Sequence, residues 1–344
     1  MNDNIRIEAQ TAGVFNFAMQ QNYIPLIRSI NIINNDSLSY ENIIVRVSFD
    51  PEIAKPFEYN VMLAEGGRTT EISPIKLTIL SEMLFSLTEK TAGNIQITAE
   101  KDGEILSETD IPIEILAYDQ WSGADIMPEL ISAFCAPNHP LVSEVISEAA
   151  VYLQQWSGSP SFTGYQSEDP NVVKQQAAAI YAALQARSIA YITPPASYEK
   201  SGQRIRLPYT VLTEKHGTCL DLSLLYVSCL EQIGLNPLII IVKGHSFAGF
   251  WLEDETFADC SDDDPSAVKK RAAEGVDKIC VVECTDLVAG NDTDFNHAEM
   301  HALAALDEPE NYCCAVDVRR CRGSGIRPIP ARIAENGVFR AACG

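Results

Sequence analysis

The chain has 344 residues, 46% of them hydrophobic and 21% charged, with a net charge of −22. The length suits two domains of ordinary globular composition. So acidic a surface repels phosphate backbones, which argues against direct nucleic-acid binding, and no apolar run approaches the roughly eighteen residues of a membrane span.

The first residues, MNDNIRIEAQ, carry no basic stretch leading into an apolar one, so the expectation is a cytoplasmic protein whose ten cysteines are reduced. Residues 1–118 read as all-β. Alternating stretches run over Ser29–Ile33, Ile43–Phe49, Glu58–Leu63, Leu77–Leu80, Asn94–Ala99 and Ile111–Leu116, with turn clusters such as Gly66-Gly67 and Lys101-Asp102-Gly103 between them. Short strands at that spacing predict a β-sandwich. Pro112, which has no N–H, suits an edge strand. No motif here carries chemistry, so a structural or docking role is expected.

Residues 119–150 read as a helical linker anchored by Trp121, with helices over 127–135 and 141–153 and His139 solvated between them. A longer helix over Asn171–Ala190 gathers Val172, Ala177, Ile180, Tyr181 and Leu184 on one face. The next helix follows Gly217-Thr218-Cys219. Thr218 is a natural N-cap, with Asp221 three residues on for a capping box, and Gly234 and Pro237 stop the helix. Cys219 therefore sits in a first helical turn, where a thiolate is favoured. Leu238–Val242 is a buried strand, Gly244 breaks it, and His245 opens a second strand, so an imidazole can serve the thiol as base and a leaving amine as acid.

Glu253-Asp254-Glu255 and Ser261–Pro265 read as a solvated acidic hairpin without the spacing of an EF-hand. Cys280, Cys284, His297 and His301 match the spacing of a C2H2 finger. Sulfurs four residues apart along a strand lie roughly 13 Å apart, however, and no basic helix face accompanies them. His297 and His301 share one helix face, which leaves a two-histidine site open, but the expectation is no metal and no cofactor. A strand over Tyr312–Val318 precedes a tail at 331–344.

Gly217–Asp221, Leu224-Leu225, Gly234-Leu235 and Gly244–Phe247 together resemble the transglutaminase-like superfamily of papain-type cysteine enzymes. There a cysteine on a helix, a histidine on a strand and an acid after the next strand form a triad. The resemblance implies that Cys219 is the nucleophile, His245 the acid/base and Glu283 the orienting acid. Glu283-Cys284-Thr285 stands where the family has a D-P-T-like tripeptide, and Asp259 is the reserve acid. Such enzymes need a polar N–H beside the thiol, for which Gln203 is the candidate oxyanion donor.

A narrower resemblance rests on Pro194–Tyr198, Gly202–Arg206 and Asp317–Arg320. These are similar to a module near the N-terminus of large bacterial helicase-like proteins. It implies an α+β chain: an immunoglobulin-like β-sandwich over 1–118, a linker over 119–150 and a cysteine-enzyme domain over 151–330. The expected activity is acyl transfer through a thioester, foremost as a peptidase on a protein or peptide substrate. A helicase-type region in cis or in trans is the expected partner. The alternative is a catalytically inactive binding or scaffolding module of a helicase-associated system.

Overall fold

The computed structural model describes residues 4–193, 202–335 and 338–341. Helices and sheets are mixed, and the chain divides into two compact units, Met1–Gln120 with Ala334–Arg340 and Trp121–Ile333 with Ala341–Gly344.

The first unit runs β1 (Ile5–Thr11), β2 (Val14–Phe15), α1 (Phe17–Gln21), β3 (Ile27–Asn34), β4 (Tyr40–Asp50), β5 (Phe57–Ala64), β6 (Thr69–Ile72), α2 (Ser81–Ser86), β7 (Thr91–Lys101) and β8 (Glu104–Ile115). These build two sheets, ordered β1-β3-β6 and β2-β8-β7-β4-β5. Ile43, Val45 and Val47 on β4 and Ile95, Ile97 and Ala99 on β7 are fully buried, the period-two pattern of a sheet with one apolar face. The strand expected at 77–80 does not form. Ile79 makes only an isolated bridge to Ala54, and Leu80 and Leu84, one helical turn apart, belong to the start of α2. β2 covers the outer side of β8 only at Glu114 and Ile115, so Pro112 lies on uncovered edge.

After β9 (Gln120–Trp121) come α3 (Pro140–Ser157), α4 (Pro170–Ala186), β10 (Ala190–Tyr191), β11 (Gln203–Arg204), α5 (Pro208–Glu214), β12 (His216–Gly217), α6 (Cys219–Gln232), β13 (Pro237–Val242), β14 (His245–Trp251), β15 (Ser261–Asp262), α7 (Pro265–Lys269), β16 (Ile279–Val282), α8 (Phe295–Ala305), β17 (Tyr312–Asp317) and α9 (Val318–Gly323). The second unit is built on a five-stranded sheet ordered β15-β17-β13-β14-β16, antiparallel throughout. Residues 219–230 of α6 are buried on every side, as befits a helix enclosed by other elements. It packs between the sheet and α3 and α4, and Tyr226 Oη donates to the Ala177 carbonyl at 3.0 Å. On the sheet's other face Ile240, Phe247 and Trp251 pack with Val268, Ala302 and Leu306.

The segment read as a linker is core of this second unit. Leu130, Ile131 and Phe134 in a 3-10 turn, and Val142, Val145 and Ala149 of α3, are fully buried. The Ala136 N–H donates to Ser228 Oγ on α6 at 3.0 Å. His139 is not simply solvated. Its Nδ1 accepts from the Leu141 N–H at 3.2 Å, and its ring stacks on Tyr209 at 4.6 Å; burial pushes its pKa below the ordinary value. Within the segment expected as a tail, β18 (Arg332–Glu335) pairs with β19 (Val338–Ala341). Pro194–Tyr198 and Cys343 lie outside the described residues, among which none of the nine cysteines forms a disulfide. No helix among them is long and apolar enough to cross a membrane.

Candidate active site

The amino end of α6 is held from three sides. Thr218 Oγ1 accepts the Asp221 N–H at 3.4 Å, and Asp221 Oδ2 accepts the Thr218 N–H at 2.9 Å, which closes a capping box. Asp221 is fully buried and also accepts the Arg206 N–H at 2.8 Å. Just upstream, β12 pairs in parallel with β10. A side chain at Gly217 would meet the Cβ of Asp221 at 3.2 Å, so glycine lets the strand run close against the helix. Cys219 opens α6 at 2% exposure, in the field of the helix dipole.

His245 reaches the thiol because a tight hairpin delivers it. Val242 pairs with His245 across a two-residue turn, Lys243-Gly244, and Gly244 takes a φ of +75° that only glycine adopts freely. α6 lies along β14, where Ser223 Oγ donates to the Cys219 carbonyl at 2.8 Å and to that of Ser246 at 3.3 Å. The His245 ring is hydrogen-bonded to the Cys219 side chain, and its Nε2 lies 2.7 Å from Glu283 Oε2. With Nε2 engaged by the carboxylate, Nδ1 is the nitrogen left for sulfur.

Glu283 directly follows β16, whose Val282 sits opposite Ala248 on β14. Its other oxygen, Oε1, accepts the Thr285 N–H at 2.9 Å and the Thr285 hydroxyl at 2.7 Å. Its N–H donates to the Ala298 carbonyl at 3.0 Å, tying it to α8. Burial opposes the charge on both partners. For His245, the Cys219 and Glu283 side chains outweigh it and raise the imidazole to about 10. For Glu283, His245 and Thr285 outweigh it and hold the carboxyl below its ordinary range. The arrangement is a buried thiol, an imidazole held protonated and an ionised acid, joined in series.

The reserve acid does not join them. Asp259 is exposed and precedes β15, on the sheet edge opposite β16. Three strand spacings, roughly 14 Å, separate that edge from β14. Gln203 lines the same cleft as His245, but its side-chain amide donates to the Arg204 carbonyl at 3.0 Å. Sequence reasoning missed Thr285 as the partner of Glu283, although the Glu-Cys-Thr tripeptide was the available signal. It also missed Tyr191, which adjoins Gly217 through the strand pairing and whose hydroxyl is pushed up by burial and by Cys219 and Glu283. A cleft of 410 Å³ opens beside His245, lined by Trp121, Leu220, Ile241, Val242 and Ser246 among others.

The zinc-finger spacing does not become a site. Cys280 Sγ lies 3.4 Å from Glu299, Cys284 Sγ faces the Val282 carbonyl, His297 pairs with Asp294 at 2.9 Å and His301 with Asp286 at 2.6 Å. Among the described residues no group of three or more His, Cys, Asp or Glu is placed to hold a metal. The acidic run supplies caps and turns, as where Asp264 accepts the Ser266 N–H at 2.8 Å to start α7.

No protein-family model matches the chain, and no curated protein matches it. Among solved structures it is similar to the crystal structure of red sea bream transglutaminase, with a TM-score of 0.24 and 10% identity. That match covers 78% of this chain and 49% of the other, so the chain spans about half the length of that protein.

Proposed function

We propose that the second unit is a transglutaminase-like cysteine enzyme that acts as a peptidase through a thioester. The observation that carries this is the Cys219–His245–Glu283 series, with His245 Nε2 2.7 Å from the acid and its ring hydrogen-bonded to the thiol. On this reading Cys219 Sγ attacks the substrate carbonyl. The amino end of α6 favours negative charge on the sulfur and on the tetrahedral oxygen. His245 protonates the leaving amine, a thioester remains on Cys219, and His245 then takes a proton from the water that hydrolyses it. Glu283 fixes the ring and balances its charge.

The first unit is read as an immunoglobulin-like docking domain. The orders β1-β3-β6 and β2-β8-β7-β4-β5 support this, since such sandwiches place a terminal hairpin at the centre of one sheet and pair the first strand into the other. A helicase-type region remains the proposed partner.

The 2% exposure of Cys219 favours one competing reading, a binding or scaffolding module that keeps the fold without turnover. Iodoacetamide labelling of wild type, Cys219→Ala and His245→Ala, with peptide mapping and a hydroxylamine trap for acyl-enzyme on a peptide library, separates the two. Preferential adduct at Cys219 that slows roughly a hundredfold in His245→Ala, with a trapped acyl group, is the expected result. Equal slow labelling of wild type and His245→Ala would leave the scaffolding reading in place.

A further inference from the structure

Outside the catalytic series, two further thiols meet. Cys260 directly precedes β15, and its carbonyl accepts the Asp317 N–H at 2.9 Å, which continues the pairing of β15 with β17. Asp317 ends β17 and caps α9, where it accepts the Arg320 N–H at 2.9 Å. Cys321 stands one helical turn beyond that cap, so α9 carries its sulfur over Cys260. Cys321 Sγ donates to the Cys260 carbonyl at 3.7 Å, and its side chain is in hydrogen-bond contact with that of Cys260. Cys260 Sγ donates to Ser324 Oγ at 3.2 Å. A strand pairing and a helix cap thus hold both backbones with the sulfurs side by side. Their exposure differs: Cys260 is half-buried and Cys321 fully buried. An oxidant from solvent reaches one sulfur, and that sulfur has the other as its neighbour. The Ser324 hydroxyl can turn to donate to a Cys260 thiolate, and the Arg322 guanidinium favours negative charge on Cys321.

We propose that Cys260 and Cys321 are a site of reversible oxidative modification, which closes to a disulfide when a hydroperoxide attacks Cys260. The Cys260 thiolate takes the terminal oxygen of the hydroperoxide, becomes a sulfenic acid and releases water or an alcohol. The Cys321 sulfur then attacks the sulfenic sulfur. The S–S bond forms, the S–O bond breaks, and the hydroxide leaves as water with the Cys321 proton. The peroxide gains the two electrons that the thiol pair loses, and a dithiol reductant restores both thiols by exchange. The new bond closes the chain over residues 261–320, which hold β16, Glu283 and α8, so it braces the segment that carries the acid. The site stands on its own contacts and does not depend on turnover at Cys219.

The test uses full-length Cys219→Ala protein, which removes the competing catalytic thiol. Reduced protein is treated with hydrogen peroxide, blocked with iodoacetamide, digested without reduction and mapped by mass spectrometry. The expected product is a Cys260–Cys321 linked peptide pair, lighter by two hydrogen atoms than the two thiol peptides and separated again by dithiothreitol. Oxidised protein should melt roughly 5 °C or more above reduced protein, a gain that Cys260→Ser abolishes. Cys321→Ala should leave a Cys260 sulfenic acid that dimedone traps, whereas the parent yields little adduct. Linkage should fall several-fold when peroxide is added to urea-unfolded protein, because the fold makes the contact. Recovery of both cysteines alkylated, Cys260 over-oxidised to sulfinic acid beside an unmodified Cys321, or Cys260 linked to a different cysteine each overturns the proposal. None of these outcomes bears on the enzyme reading, which the labelling of Cys219 in wild type decides.

Discussion

His245 and Glu283 hold each other charged, with Cys219 adding to the hold on His245 and Thr285 to that on Glu283, and this gives the site a pH signature. A histidine raised to about 10 in the fold, from an ordinary value near 6.5, binds its proton more tightly folded than unfolded. Its contribution is complete below the unfolded value and is lost as pH rises towards 10. Glu283, held low, contributes above the unfolded carboxylate value and loses that contribution as pH falls through its depressed value. Urea midpoints for wild type should therefore decline between pH 7 and pH 10, and those of His245→Asn should decline less. Parallel curves would mean that the pair does not form. Glu283→Gln keeps an acceptor for Thr285 but removes the charge, so the alkaline limb of kcat/KM should move to lower pH as kcat falls roughly tenfold or more. Seven of the other thiols should compete poorly for iodoacetamide at neutral pH. Burial pushes Cys135 and Cys314 up to about 12 and Cys229, Cys280, Cys284 and Cys321 further up, while Cys313 is exposed but also raised.

At the scale of elements, what was legible was local. The Thr218–Asp221 box spans one helical turn, and the hairpin that delivers His245 needs only Gly244 between two apolar runs, so both could be read from spacing. The pairing of β14 with β16 could not, because 27 residues with their own strand and helix lie between them and the sheet order does not follow the chain. Glu283 and Asp259 both follow apolar stretches, and only the sheet order, which puts β16 beside β14 and β15 at the far edge, tells them apart. The linker was misread for a related reason. Its helices show a modest apolar face in sequence, and their burial comes from contacts with α6, which lies many residues downstream. The capping box carries a prediction. Asp221→Ala leaves the buried Thr218 N–H and the half-buried Arg206 N–H unpaired and should cost about 2–4 kcal/mol. Thr218→Ala, which removes only one 3.4 Å bond, should cost about 1 kcal/mol. Urea unfolding with an unchanged m-value checks both, and a Thr218 cost equal to that of Asp221 would refute the assignment.

Across the whole molecule, 47 acidic residues face 25 basic ones, so even complete pairing leaves acids repelling one another. Several ion pairs, such as Lys269–Asp307, are exposed at both ends and contribute little. Arg322–Glu231 differs. It is bidentate at 2.7 and 3.0 Å, with both side chains more than four-fifths buried, and the same guanidinium holds the Ser132 carbonyl at 3.0 Å and that of Ile326 at 3.1 Å, so α6, α9 and the 3-10 turn meet at one cation. Salt should separate these two kinds of electrostatics. Raising sodium chloride from 0.01 to 0.1 M shortens the screening length from about 30 to about 10 Å. That weakens repulsion spread over the surface and leaves a buried contact near 3 Å almost untouched. Tm should therefore rise with salt in wild type. Arg322→Met should lower Tm throughout, because Glu231 keeps a buried charge without its partner, yet it should show the same upward slope. A Tm that falls with salt would mean that attraction between paired surface charges outweighs the net repulsion, and that the acidic excess is spaced widely enough to cost the fold nothing.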